Sequence, residues 1–280
     1  MRNVLVTGAS KGIGEACTLR LAAEGWRVFA GVRDPADGDR LRSAGGIGIV
    51  PLRIDVTSAQ DIAAAVSAVD QATGADGLHG LVNNAGIAIA GPLEFLPVSE
   101  FRRQLEVNVV GQVAVTQALL PVLRRGRGRV VFIGSIAGIF ALPLSGAYAA
   151  SKFALEAVAD ALRAELRSFG MHVSIVEPGV IATPIWNTSL ERGEQILQDA
   201  PPELETYYGR VLKGMRKRVQ RGMGGLSPDR VAAAVEHALS ARRPRTRYIV
   251  GRDARVRALL KKLLPDRVRD ALIAKALERL

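Results

Sequence analysis

The sequence predicts an α/β fold, a doubly wound parallel sheet with helices on both faces. Three observations predict it. Short runs of β-branched and aliphatic residues alternate with longer helical stretches. Apolar residues make up 48% of the 280 residues while aromatics reach only 5%, so the core must be built from Val, Ile, Leu and Ala, which suits strands covered on both faces. Connections of helical length between strands imply right-handed crossovers, which leave neighbouring strands parallel.

Taken in order, the strands are expected at 4–7, 27–32, 48–54, 80–83, 128–134, 172–177 and 247–250. Helices are expected at 13–24, 58–72, 99–123, 148–169 and 227–240. Residues 183–226 break the rhythm. They follow the sixth strand at its C-terminal end, where open α/β sheets place their ligands. Ile185, Trp186, Leu190, Ile196, Leu197, Leu204, Tyr207, Tyr208, Val211, Leu212 and Met215 in this insertion suffice to line an apolar pocket, or simply to pack a helical insertion. Phe140 and Leu142-Pro143-Leu144 offer a second wall. No repeat or low-complexity tract divides the chain. Residues 1–251 read as one domain, with 183–226 covering the substrate and 252–280 as a basic helical extension.

Several function classes are disfavoured. Cys17 is the lone cysteine, which rules out a disulfide framework and fits a reducing compartment; its place in the first helix suggests a buried thiol. The histidines, His79, His172 and His237, have no metal-ligand spacing, so no metal is expected. A strand-like run starts at Asn3, and neither a signal peptide nor a membrane span is expected, consistent with a cytoplasmic protein. The net charge of +11 is concentrated at the end of the chain: residues 242–280 hold thirteen Arg/Lys against four Asp/Glu. There Val256, Leu259, Leu260, Leu263 and Leu264 alternate with Arg255, Arg257, Lys261 and Lys262. After Pro265 a second helix runs through Val268, Ala271, Leu272, Ala276 and Leu280. Such a pair of basic amphipathic helices can dock on its own domain or a second subunit, or lie on an anionic membrane surface. Nucleic acid is not expected as a partner, since the tail has almost no aromatics and no known binding module.

The chemistry begins at Thr7-Gly8-Ala9-Ser10-Lys11-Gly12-Ile13-Gly14, between the first strand and the first helix. Glycines permit a tight turn and a close approach to a pyrophosphate, to which the helix N-terminus presents free N–H groups. The second strand ends in Gly31-Val32-Arg33, where an NAD-selective protein would carry an acid for the ribose 2′-hydroxyl. Arg33 and Lys11 suit a 2′-phosphate instead, favouring NADP(H). Asp34 could serve as that acid in a shifted register, which keeps NAD(H) as the alternative. Asp55-Val56, after the third strand, is placed to contact the adenine edge or to cap the helix that starts near Ser58.

These residues resemble the short-chain dehydrogenases/reductases, in their single-domain branch. The resemblance covers residues 4–183 and rests on motifs in the expected order: the Thr7–Gly14 turn, Asn83-Asn84-Ala85-Gly86, Asn108, Ser135, Tyr148-Ala149-Ala150-Ser151-Lys152, and Pro178-Gly179 with Thr183. Glu106-Val107-Asn108-Val109-Val110-Gly111-Gln112 and Gly134-Ser135-Ile136-Ala137-Gly138 look most like members acting on lipophilic alcohols, such as retinol and 17β-hydroxysteroid dehydrogenases. The resemblance implies a Rossmann-type seven-stranded sheet in the order 3-2-1-4-5-6-7 and a homodimer or homotetramer formed through the two long helices. It also implies cofactor contacts from Gly8, Ser10, Ile13, Ala85, Gly86, Ile181 and Thr183. Asn83 would tie strands together and meet a ribose, with Asn84 structural only, and Pro178-Gly179 would bring backbone against the nicotinamide. Phe140, Leu142 and Trp186 would face a hydrophobic substrate.

Carbonyl reduction needs a hydride at carbon and a proton at oxygen. A free tyrosine, with pKa near ~10, holds its proton tightly, and a lysine four residues on shares its helix face and would lower that pKa. Tyr148 and Lys152 have this spacing, and Lys152 can also bond the nicotinamide ribose. Ser135, at a strand end, would bond the substrate oxygen. By resemblance, Asn108 would hold a water linking Lys152 to solvent. A serine hydrolase would need a Gly-x-Ser-x-Gly elbow, and Gly134-Ser135-Ile136-Ala137-Gly138 has the wrong spacing. A dinucleotide-binding sensor without catalysis is the other rival; it has no need of an acid–base tyrosine.

Overall fold

The computed structural model describes residues 1–198, 200–221 and 224–277. Among them the strands are β1 (Asn3–Val6), β2 (Arg27–Val32), β3 (Ile49–Arg53), β4 (Gly80–Asn83), β5 (Arg129–Ile133), β6 (His172–Pro178) and β7 (Arg247–Val250). They form a single parallel sheet in the order β3-β2-β1-β4-β5-β6-β7, as expected. The order reverses at β1 and β4, so the segments leaving these two strands diverge and open a crevice.

The helices are α1 (Gly12–Ala23), α2 (Pro35–Gly45), α3 (Ala59–Thr73), α4 (Val98–Leu105), α5 (Gly111–Arg125), α6 (Gly146–Leu166), α7 (Ile185–Leu197), α8 (Glu203–Gln220), α9 (Asp229–Ser240), α10 (Arg252–Leu263) and α11 (Asp266–Leu277). Side chains of a strand alternate between faces, and here both faces are apolar. Val4, Val6, Val28, Ala30 and Val131 pack with Cys17 and Leu21 of α1 and Val231, Val235 and Leu239 of α9. Leu5, Phe29, Leu81, Val130 and Phe132 pack on the other side with Ile62 and Val69 of α3, Val115 and Leu119 of α5 and Leu155 of α6. Cys17 is fully buried, and burial pushes its thiol pKa up to about 12, which leaves it inert.

The structure differs from expectation in two helices. Helix α2 was not foreseen, because Leu41 is its lone buried apolar side chain and no apolar stripe marks it. Its start does carry a signal: the Asp34 carboxylate accepts from the Ala36 N–H at 3.0 Å, and Pro35 occupies the first turn. The helix expected at 99–123 is continuous in path but interrupted by a π turn, Glu106–Val110, centred on Asn108. By length and composition Val98–Arg125 could cross a membrane. Its Val115, Leu119, Val122 and Leu123 lie in the sheet core, and Gln104, Asn108 and Gln112 are fully buried within the fold. That makes it a core helix.

The insertion folds as α7 and α8 over the segment after β4. Ile196 joins Ile89, Leu96 and Ala147, Arg192 pairs with Glu100 at 2.6 Å, and the Tyr208 hydroxyl bonds Glu94 at 2.9 Å. Tyr207 faces solvent. In the tail, α10 buries Ala254 and α11 buries none of its residues, while Val256, Leu259, Leu263, Val268 and Leu272 are exposed. Leu280 lies outside the described residues.

Candidate active site

The turn after β1 is fixed by its backbone. Gly8 and Gly12 adopt φ of +61° and +62°, a region that strains any residue with a Cβ. Gly14 is needed for a different reason: a Cβ there would lie 2.1 Å from the Gly8 carbonyl oxygen. Lys11 precedes α1 without capping it by its side chain. The first N–H groups of that helix therefore stay available to an anion at its N-terminus. A Cβ on Gly12 would meet Thr183 Cγ2 at 3.0 Å, so the turn abuts the start of the insertion. With glycine at three positions and free N–H donors at the start of α1, this cradle fits a dinucleotide pyrophosphate.

Asn84 holds the cradle in place. Its Nδ2 donates to the carbonyls of Thr7 and Gly8, both at 2.9 Å, while the N–H groups of Asn84 and Ala85 donate to Thr7 Oγ1 at 3.0 Å. Asn84 is thus a structural residue, as expected, and the correction concerns the ribose contact expected of Asn83. Asn83 is fully buried and donates from Nδ2 to Thr116 Oγ1 at 2.7 Å, so its amide cannot reach a ribose. Consecutive residues leave a strand on opposite faces, and Asn83 points into the helical layer.

The segment after Asn84 is gripped by three amides from the long helix. Gln112 Nε2 donates to the Ala85 carbonyl at 2.8 Å, and Gln104 takes the Ile89 N–H at 2.8 Å while donating to the Ile87 carbonyl at 2.7 Å. Asn108 accepts from the Ile87 N–H at 2.8 Å and donates to the Ile87 carbonyl and to Ser151 Oγ, both at 3.0 Å. The Asn108 side chain is thus committed to protein partners. Gly86 keeps its α-carbon close to Asn108: a Cβ there would stand 3.2 Å from Oδ1.

Ser135, Tyr148 and Lys152 do come together. The Ser135 hydroxyl accepts from the Ala137 N–H at 3.1 Å and stands near enough to the Tyr148 phenol to act on its pKa. Lys152 Nζ lies 5.7 Å from the Tyr148 ring centroid and donates to the Ile133 carbonyl at 2.7 Å. The electrostatics correct the simple expectation for the tyrosine. Burial pushes the Tyr148 pKa up, and the bond to Ser135 only partly opposes this. Burial also pushes Lys152 down to about 8, with Glu156 acting to raise it. Burial thus acts against the charged form of both groups.

Behind Lys152 lies a charge cluster the sequence did not reveal. Glu156 and Glu177 are both buried, and Arg247 bonds Glu156, Asp160 at 2.7 Å and Glu177 at 3.5 Å. Burial and then the neighbouring Glu177 raise Glu156 to about 7, against the pull of Arg247.

The remaining predicted residues fall around the same crevice or just behind it. Arg33 and Lys11 are exposed, and the unforeseen Arg40 of α2 bonds the Ser10 carbonyl and Glu15. Ile13 lies in the first turn of α1, partly exposed. Asp55 accepts twice from Thr57, at 2.9 and 2.7 Å. Burial acts to raise its pKa, but those bonds and Arg33 lower it overall. Val56 is buried against Gly111. Pro178 ends β6, the Gly179 N–H donates to the Val250 carbonyl at 2.8 Å, and Ile181 is buried with its carbonyl accepting from Trp186 Nε1 at 2.9 Å. Phe140 is buried with the Arg269 guanidinium 5.9 Å from its ring, and Leu142 is partly exposed. Sequence reasoning missed Gln104 and Gln112. Together with Asn108, their four-residue spacing along an apolar helix was the available signal.

The protein-family model described as short chain dehydrogenase matches residues 2–193. Retinol dehydrogenase 5 of Mus musculus is 40% identical, the alignment covering 99% of this chain and 89% of that protein. The NADPH-dependent 3-dehydrocapnine reductase of Ornithobacterium rhinotracheale is 36% identical over 100% of this chain and 99% of that protein. A solved short chain dehydrogenase from Burkholderia cenocepacia J2315, in complex with NADP, matches with a TM-score of 0.72 at 27% identity and covers 98% of both chains. Sequence, sheet order and relatives agree that this chain belongs to the short-chain dehydrogenase family, as an NAD(P)-binding oxidoreductase of CH–OH donors.

Proposed function

We propose that the chain is an NADP(H)-dependent oxidoreductase interconverting a hydrophobic alcohol, of steroid, retinoid or lipid type, with its ketone or aldehyde. The observation that carries this reading is the meeting of Ser135, at the end of β5, with Tyr148, and Lys152 one helical turn beyond Tyr148 with its Nζ 5.7 Å from the Tyr148 ring centroid. Ser135 orients the substrate oxygen, Tyr148 gives it a proton in reduction and takes one in oxidation, and Lys152 supplies the nearby positive charge. Gly8, Gly12 and Gly14 with the N-terminus of α1 would hold the pyrophosphate, and Pro178, Gly179, Ile181 and Thr183 would border the nicotinamide. The bound cofactor donates or accepts the hydride.

NADP(H) is favoured over NAD(H) by three cations, Lys11, Arg33 and Arg40, around the turn, and by Asp34 already accepting from the Ala36 N–H. The NADPH-dependent reductase relative and the NADP-bound structural neighbour support the same preference. Hydrophobic substrates are supported by the apolar inventory of α7 and α8 and by the name of the retinol dehydrogenase relative. A cofactor-binding sensor leaves the Ser135–Tyr148 arrangement without a purpose. The test is a kinetic screen of steroids, retinoids, aliphatic ketones and small polar carbonyls with NADPH and NADH side by side. NADPH-dependent turnover of apolar substrates is expected; preference for small polar carbonyls or for NADH overturns the corresponding part.

The exposed Val110 and Phe153 on the two long helices support a homo-oligomer built through that face, in the cytoplasm. The exposed apolar row of α10 and α11, flanked by Arg255, Arg257, Lys261 and Lys262, supports peripheral contact with anionic membranes. Co-sedimentation of the intact protein with phosphatidylserine vesicles, weakened by salt, is expected. No binding removes that contact.

A further inference from the structure

The C-terminal extension does not merely follow the catalytic domain, because its first turn reaches into the site. The Asp253 carboxylate of α10 accepts from the Val180 N–H at 3.0 Å. It also occupies the place of a missing side chain: a Cβ on Gly179 would lie 2.3 Å from Asp253 Oδ1, and one on Gly251 would lie 2.6 Å from it. Gly251 enters α10 with φ of +118°, a backbone open to glycine, and this turn aims the carboxylate back at the loop after β6. Elsewhere the loop is held by backbone bonds and by Trp186 Nε1, which donates to the Ile181 carbonyl at 2.9 Å. Leu226 N–H donates to the Val180 carbonyl at 3.0 Å, and Ala182 N–H donates to the Leu226 carbonyl at 2.9 Å. Val180 N–H therefore depends on a side chain from 73 residues away, through a charge-assisted bond of the stronger kind. The body of α10 meanwhile packs on the turn Ile136–Gly138 that follows Ser135.

We propose that Asp253 is a positioning residue of the active site: it fixes the Pro178–Ile181 backbone at the nicotinamide end of the crevice, and Gly179 is glycine to admit its carboxylate. The proposal rests on the reading that this loop borders the nicotinamide. Asp253 touches neither substrate nor cofactor. It removes a degree of freedom from the loop, so its loss should weaken cofactor binding rather than proton transfer.

The test is a double-mutant cycle on the full chain with Asp253→Ala, Gly179→Ala and the pair, plus Asp253→Asn, which keeps an oxygen acceptor. The readouts are NADPH affinity by fluorescence titration, thermal midpoint, and hydrogen exchange of residues 178–183 in the cofactor-free protein. Asp253→Ala and Gly179→Ala should each weaken NADPH binding about tenfold and speed exchange in that segment. The pair should be no worse than either single change, and Asp253→Asn should recover most of the affinity. Additive losses, or a folded Asp253→Ala protein with unchanged affinity and exchange, overturn the proposal. If Asp253→Ala does not fold, Gly179→Ala alone decides by the same readouts. Exchange in the free protein is independent of turnover, so failure of the clamp is distinguishable from failure of the oxidoreductase reading.

Discussion

The cradle at residues 7–14 and the outer helices at residues 183–220 and 252–277 are built by opposite means. The cradle is almost all backbone: three glycines, a bare helix N-terminus, and the Asn84 amide bonded to the carbonyls of Thr7 and Gly8. The outer helices present side chains, many exposed, from Tyr207 on α8 to Leu259 and Leu263 on α10. A backbone site has no tolerance for an added atom, whereas a side-chain surface can be rewritten without unfolding the sheet. The contrast separates two questions. On the proposed reading, the cradle and the Ser135–Tyr148–Lys152 group fix what reaction runs, and the outer helices govern which molecule is brought to it.

The sharpest way to break this contrast is to substitute on both sides of it. Gly14→Val puts a Cβ 2.1 Å from the Gly8 oxygen and 2.5 Å from Asn84 Nδ2. NADPH binding should fall by roughly a hundredfold or more, as the turn must shift to relieve the overlap. Leu259→Ser, at a side chain 56% exposed, should leave NADPH affinity within about twofold. Equal losses from the two would erase the distinction.

A smaller effect is expected at Asn84. Asn84→Ala leaves two backbone carbonyls of the cradle without this donor. That should lower stability by about 1–3 kcal/mol in chemical denaturation and weaken NADPH binding with it. Asn83→Asp, at the fully buried position, should reduce stability without a specific cofactor effect.

The effects of pH are subtler. Burial holds Lys152 at about 8, so its charge is lost on raising the pH through that value. Carbonyl reduction should therefore decline above about pH 8 in kcat/KM profiles. Glu156 works on stability. Its pKa is raised to about 7 from 4.5, so the folded state binds this proton more tightly. Its contribution is full below the unfolded pKa and is lost as the pH rises through the folded one. Glu156→Gln should flatten that fall between about pH 4.5 and 7, measured by denaturation at several pH values.

Much of this was legible in the sequence, for definable reasons. Strands apolar on both faces leave unbroken runs such as Val130–Ile133, which located the strands, while their order came from the family resemblance. Helix α2 was hidden because it touches the core through little more than Leu41. The π turn at Asn108 left no mark in the residue pattern. Asn83 and Asn84 are chemically identical neighbours, and their roles depend on which face each takes. The Tyr148 expectation counted the nearby lysine but not burial, which raises its pKa. Asp253 could not be paired with Val180 from sequence, since only the fold joins them.

The central claim is that Tyr148 moves the proton at a site whose cofactor bed is built independently of it. The most direct measurement is Tyr148→Phe, assayed for NADPH affinity and for carbonyl reduction in parallel. Affinity should stay within about threefold while kcat drops by about 10²–10⁴. A fully active Tyr148→Phe enzyme would contradict the account.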